Sequence, residues 1–231
     1  MAVVLVTGQL LTDEVWAPQV PALRQRHELI FADHTRDDTI GGMAERLLAA
    51  APERFDLVAH AMGGFVAFEV MRRERERVRS LALLATLAPN DGPAQTERRQ
   101  GYIRLVEAGN FEGVVEERIP ILVHPARRED EPLLSVVRRM AAQTGPDTFL
   151  RQQRAIMARP DSRPTLPTIA CPTLVFWGRQ DGITTEAHQS EIVSGIRGAR
   201  LEVIEDCGHL ATLEKPVTVT RLLTDWLAGQ R

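Results

Sequence analysis

Leu57-Val58-Ala59-His60-Ala61-Met62-Gly63-Gly64 is the stretch whose reading decides the fold. An apolar run enters it, and a run with helical spacing over residues 63–75 leaves it. That order describes a buried strand, a sharp turn and a helix. Ala59, Gly63 and Gly64 are small, as they must be where strand and helix backbones come very close. A strand, a pair of glycines and a helix also make an ordinary packing turn, so the octet takes its meaning from its surroundings.

Working outward, short apolar runs bounded by turn residues recur at 2–6, 28–32, 56–59, 80–85, 173–177 and 201–204. They are near-continuous rather than alternating, which suits strands buried on both faces of a parallel sheet. Helically spaced segments lie between most of them, at 15–25, 39–51, 63–75, 185–195 and 216–228. Thr39 can cap the helix that follows it, and Pro216 occupies a favoured first-turn position. Strand and helix in alternation predict an α/β fold with a mostly parallel, doubly wound sheet of about six strands. The alternation breaks between residues 88 and 168, where 95–108, 111–117, 131–142 and 148–157 read as consecutive helices separated by Gly109-Asn110, His124-Pro125 and Gly145-Pro146. The expected division is a core of residues 1–88 and 169–231 with a helical cap over 89–168. Four prolines within 159–172 stiffen the return to the sheet.

Composition bounds the function. A chain of 231 residues with 44% hydrophobic side chains can bury one substantial core. A net charge of −3 argues against a nucleic-acid partner, which calls for a concentrated basic surface. Cys171 and Cys207 stand without a CxxC pair or a His at metal-ligand spacing, so neither a metal site nor a disulfide framework is expected. Residues 1–6 enter a strand without a basic leader, and no apolar stretch approaches the roughly 18 residues of a membrane span. The expectation is a reduced, cytoplasmic protein acting on a small molecule without a membrane partner. The composition fixes no oligomeric state.

Three further loops give the octet its context: Thr7-Gly8-Gln9-Leu10 after the first strand, Trp177-Gly178-Arg179-Gln180-Asp181 after the fifth, and Asp206-Cys207-Gly208-His209, with Glu214-Lys215-Pro216 beyond, after the sixth. Together with the octet they resemble the α/β-hydrolases, and most nearly compact bacterial carboxylesterase-like hydrolases with a helical cap, over residues 3–227. The family's nucleophile elbow is G-x-S-x-G. Here Ala59 replaces the first glycine and Ala61 replaces the serine. The resemblance implies that Ala61 marks the nucleophile position, that His209 is the general base and that Asp181 orients it, in the family's chain order. Asn90-Asp91 is the rival acid position. The resemblance also implies an oxyanion hole from the backbone N–H groups of Gln9 and Met62, with Leu10 as the fallback, although Thr7 departs from the family's usual His. It implies no cofactor.

The alanine admits two explanations: a serine-to-alanine replacement that traps substrate, or a natural member that has lost catalysis. The joint presence of Asp181, His209 and the Gly63-Gly64 turn favours the first, because a natural loss would leave them without the function that explains them. No serine among Ser80, Ser135, Ser162, Ser190 and Ser194 has flanking small residues at the right spacing, and Cys207 lies too near His209 in sequence to pair with it. His27, His34, His124 and His188 lack the ordered context and read as structural. The expected pocket is apolar, lined by Trp16, His60, Phe65, Tyr102, Phe111, Met140 and Phe149, and suited to esters or lactones of hydrophobic acids or alcohols. A hydrolase-fold binding protein, a carbon-carbon bond hydrolase and a thioesterase are the alternatives.

Overall fold

The computed structural model describes residues 1–230. Strands β1 (Ala2–Val6), β2 (Glu28–Phe31), β3 (Phe55–His60), β4 (Val78–Leu84), β5 (Thr173–Gly178) and β6 (Arg200–Ile204) form one sheet. Its order is β2-β1-β3-β4-β5-β6, and every neighbouring pair is parallel. The chain therefore steps over β1 between β2 and β3, which places a switch point, and the crevice that goes with it, at the carboxyl ends of β1 and β3. The register aligns those ends across the sheet: Val6 pairs with Ala59, His60 with Leu84, Leu84 with Phe176 and Gly178 with Ile204. β1, β3 and β5 are buried throughout, as continuous apolar runs require. β2 and β6 depart from the expected two-sided burial: as edge strands they leave every residue but Ile204 partly in solvent.

The helices are α1 (Val20–Leu23), α2 (Ile40–Ala50), α3 (Met62–Glu74), α4 (Pro93–Glu107), α5 (Phe111–Leu122), α6 (Glu131–Met157), α7 (Glu186–Gly195), α8 (Ala211–Glu214) and α9 (Pro216–Ala228). Thr39 caps α2 by accepting the Gly42 N–H at 3.0 Å, and Pro216 opens α9. α2, α3 and α7 cover one face of the sheet, where Met43, Phe68 and Ile192 pack with Val4, Leu57 and Val175. The expected helix over 15–25 is instead a 3-10 turn at Asp13–Trp16 followed by the single turn of α1, since Pro18 and Pro21 interrupt the ladder.

Between β4 and β5 the chain runs through α4, α5 and α6 with no strand. At Gly145 (φ 75°, ψ 167°) α6 is broken by a conformation open only to glycine, so it consists of two helical pieces that meet at Gly145-Pro146. α5 runs five residues past the expected 117, continuing through Pro120 to Leu122, and this extension carries Arg118. The inserted helices have no separate core: Val114, Ile119, Met140 and Phe149 belong to the cluster that holds Leu5, Val58 and Phe176 of the sheet and Trp226 of α9. No helix of the described residues is long and apolar enough to cross a membrane.

Candidate active site

Ala61 joins β3 to α3 with φ 53° and ψ −115°, a backbone state that costs on the order of 1–3 kcal/mol for a residue with a side chain. Its surroundings hold it there. The Ala61 N–H donates to the Leu84 carbonyl at 2.9 Å, and its own carbonyl accepts from Gly64 N–H at 2.9 Å and Thr86 Oγ1 at 2.8 Å. The glycines answer to contact: a Cβ on Gly63 would lie 2.7 Å from the Val6 carbonyl oxygen and 2.9 Å from that of Thr7, and one on Gly64 would overlap the Thr86 side chain. A Cβ on Gly8 would stand 3.0 Å from the Cβ of Ala61. Among the described residues, the non-glycine positions with positive φ are Leu10, Ala61, Ala85 and Asp206, and each follows the carboxyl end of a strand. Backbone strain is thus gathered at one edge of the sheet.

Across that edge, His209 Nδ1 is hydrogen-bonded to Asp181 Oδ2 at 2.8 Å. Asp181 is held by four further contacts: Oδ1 accepts the N–H groups of Ile183 (2.7 Å) and Thr184 (3.0 Å), and Oδ2 accepts Thr184 Oγ1 (2.6 Å). The fourth is its own N–H, which donates to the Gly178 carbonyl at 3.0 Å. Burial pushes the Asp181 pKa up, but the neighbouring His209 charge and the hydrogen bonds outweigh it and hold the carboxyl below its ordinary value. The carboxylate therefore fixes the imidazole with its proton on Nδ1, leaving Nε2 as the free ring nitrogen.

The His209 loop is clamped by a second buried carboxylate. Glu214 accepts the N–H groups of Gly208 (3.1 Å) and Leu210 (3.2 Å) on Oε1 and that of His124 (2.7 Å) on Oε2. His209 and Leu210 also donate their N–H groups to the Leu122 carbonyl at the end of α5. Beneath the loop, His60 Nε2 donates to the His209 carbonyl at 2.9 Å, and the two rings lie 5.1 Å apart. Burial, reinforced by the charge of His209, lowers the His60 pKa to about 3, so this ring is a neutral prop.

The loop after β1 is tied to the inserted helices by a directional chain. Leu10 N–H donates to Gln152 Oε1 at 3.2 Å, and Gln152 Nε2 lies 3.3 Å from His34 Nδ1. With Nδ1 accepting, His34 carries its proton on Nε2 and donates to Thr7 Oγ1, which donates in turn to the Leu11 carbonyl at 3.2 Å. Every donor meets an acceptor. Burial holds the His34 pKa below its ordinary value, which keeps the ring in the neutral form that this chain requires. The Leu10 N–H is thereby occupied by Gln152, and Gln9 and Met62 line the pocket with Ala61.

A pocket opens over Ala61 and His209, with Gln9 and Met62 in its wall. No serine or cysteine lines it among the described residues. Its hydroxyls, Thr86 and Thr184, are engaged with the Ala61 carbonyl and Asp181. Cys207 is buried outside it, its thiol pushed up to about 12 by burial. Asp91, the rival acid, is ion-paired with Arg99 (2.5 Å) and Arg159 (2.9 Å) and makes no bond to His209.

A model of the alpha/beta hydrolase family matches residues 3–222. The chain belongs to that family. It is 32% identical over 182 residues to a 2-hydroxy-6-oxo-6-phenylhexa-2,4-dienoate hydrolase from Comamonas testosteroni, an alignment covering 76% of this chain and 63%, under two thirds, of that relative. In structure it is similar to a thermophilic esterase from Thermogutta terrifontis solved with malate bound, with a TM-score of 0.91, 27% identity and coverage of 100% of this chain and 90% of the other. The enol-lactonase from Burkholderia xenovorans shares the fold, with a TM-score of 0.89 at 24% identity over 98% and 91% of the two chains.

Within this family framework, the structure brings Ala61, His209, Gln9 and Met62 around one pocket with Asp181 behind the imidazole. The apolar residues expected to line it fare differently. Phe65 does line it, under the Arg159 guanidinium at 4.1 Å. Trp16 lies edge-on to His60 at 6.2 Å, beneath the site. Phe111 and Phe149 pack on each other at 6.0 Å, Met140 is wholly buried, and the Tyr102 hydroxyl donates to Glu117 at 3.1 Å; these residues and His60 stand outside the wall. In their place stand Leu122, Ile156 and Ile183, and two arginines, Arg99 and Arg118. Glu214 had a visible signal, the Glu-Lys-Pro after the final loop, but spacing alone says nothing of its clamping role. Arg118, Gln152 and His34 had none, because their partners are remote in sequence.

Proposed function

We propose that the chain is the framework of a serine-type hydrolase of small carboxylic esters or lactones, with alanine standing where the nucleophilic serine acts. The observation that carries the reading is the Asp181-His209 pair, 2.8 Å apart, facing the same pocket as the strained Ala61 turn. A hydroxyl on the Ala61 Cβ would give its proton to His209 Nε2 and attack the carbonyl carbon of the substrate. The N–H groups of Gln9 and Met62 are the proposed donors to the oxyanion. Collapse of the tetrahedral intermediate would transfer the His209 proton to the leaving alkoxide. Water, deprotonated by the same imidazole, would then release the acid from the acyl-enzyme.

Loss of the nucleophile in a serine hydrolase costs about 10⁶ in kcat while binding survives. As it stands, the chain should therefore bind and hardly turn over. Assay of Ala61→Ser against the unchanged chain on short p-nitrophenyl esters should show a gain of that order, and absence of any gain overturns the reading. The 32% identical relative supports a second reading, hydrolysis of a carbon-carbon bond by the same loops. It predicts that Ala61→Ser cleaves oxo-dienoates in preference to esters.

A further inference from the structure

Two arginines among the described residues are buried, and the fold treats them differently. Arg159 is ion-paired with Asp91 at 2.9 Å. Arg118, on α5, has no carboxylate within ion-pair distance, although it is only 9% exposed and lines the pocket over Ala61. Its Nη1 donates to Gln9 Oε1 at 2.7 Å, and the rings of Tyr102 and Phe149 lie 5.9 and 5.6 Å from its guanidinium carbon. Arg118 Nε and Gln9 Nε2 are both buried without a hydrogen-bond partner. A clamp built only to hold Gln9 would not leave a donor stranded at each end, since each such donor costs free energy.

The charge around the pocket is unbalanced in the same sense. Arg99 also lines the wall, and its partner Asp91 is shared with Arg159, so those two guanidiniums meet one carboxylate, while Glu117, whose charge acts on Arg118, is bonded to the Tyr102 hydroxyl. The aromatic faces beside Arg118 offset part of the cost of burying a cation but accept no hydrogen bond from its Nε. Burial and the nearby Arg99 lower the Arg118 pKa only to about 10, so it is charged at neutral pH. A buried cation with unpaired donors, on the wall of a pocket, is a site for an anion.

We propose that Arg118 and the Gln9 amide form a carboxylate-binding subsite, so that the substrate is an ester or lactone bearing a second, free carboxylate a few carbons from the scissile carbonyl. The subsite replaces the hydrophobic ester that the expected apolar lining suggested with a monoanion. Its link to a scissile bond rests on the hydrolase reading. Gln9 sets the spacing, because its backbone N–H is a proposed oxyanion donor while its side chain holds Arg118.

Calorimetry on the unchanged chain should find monomethyl succinate, glutarate or adipate bound about tenfold or more tighter than the matching dimethyl ester. Equal binding of half-esters and diesters overturns the subsite. Arg118→Met should erase the preference and Arg118→Lys should retain part of it. Gln9→Glu, which supplies a carboxylate where the Gln9 oxygen stands, should erase it without removing the arginine; if Arg118→Met fails to fold, a preference that persists in Gln9→Glu overturns the proposal. Hydrolysis of neutral esters by Ala61→Ser with no half-ester advantage in KM would sink the subsite and spare the hydrolase. Half-ester binding that depends on Arg118, together with an inert Ala61→Ser, would do the reverse.

Discussion

The carboxyl edge of the sheet and the helical insertion above it face the same pocket but are built by different means. At the sheet edge, position is set by backbone: positive φ at Ala61 and Ala85, glycines against carbonyls, and Asp181 and Glu214 held by hydrogen bonds that come mostly from backbone N–H groups, one of them from His124 in the insertion. In the insertion, position is set by side chains that reach across long sequence separations, as Gln152 does to Leu10 and Arg118 to Gln9. The first region suits chemistry, which needs fixed angles. The second suits selection of a ligand, which needs a shaped and charged wall. A change at the edge should therefore cost rate, and a change in the insertion should cost binding or loop placement.

The most severe test of that contrast lies behind the imidazole. In the Ala61→Ser background, Asp181→Asn should lower kcat by about 10⁴ with KM and circular dichroism unchanged, because the amide can keep the Ile183 and Thr184 N–H bonds but presents a donor where His209 needs an acceptor. A loss carried by KM instead would mean that the edge also selects ligand, and the division between the two regions would fail.

The same division explains which features are legible in the sequence alone. Continuous apolar runs, caps and the order of four loops are local properties, so the six strands, the bounds of α9 and the positions of Ala61, Asp181 and His209 were legible. The wall was not. Large apolar residues such as Met140 and Phe149 are chosen equally well by a core and by a pocket, and here the core took them. Arg118 is hidden twice, since the expected helix ends at 117 and an arginine-rich insertion has nothing in its spacing to mark the unpaired one.

Glycine substitutions separate the regions by mechanism as well as size. Gly63→Ala pushes a Cβ against the Val6 and Thr7 carbonyl oxygens, backbone that cannot move aside, and should destabilise by about 3 kcal/mol. At Gly145, in the insertion, nothing lies within 4 Å of an added Cβ, and the cost is conformational alone, at φ +75°, about 2 kcal/mol. Urea unfolding of both variants measures the difference. In an Ala61→Ser background, Gly145→Ala should leave kcat intact, whereas Gly63→Ala should lower it.

The smallest effect is expected where the two regions are joined. Gln152 is fully buried on α6 and occupies both ends of its amide, accepting from Leu10 N–H and donating to His34. Gln152→Leu has a similar volume but strands the Leu10 N–H and the His34 Nδ1, and the net loss of such bonds is about 1–2 kcal/mol. Leu10 follows Gln9 directly, so the strain should reach the proposed oxyanion donor and lower kcat of the Ala61→Ser form by roughly tenfold, with half-ester binding by the unchanged-nucleophile form preserved. Gln152→Glu keeps an acceptor for Leu10 while removing the donor to His34, and should fall between the two. If Gln152→Leu weakened half-ester binding and left kcat alone, the chain from α6 would serve the wall rather than the loop, and α6 would have no hand in the chemistry.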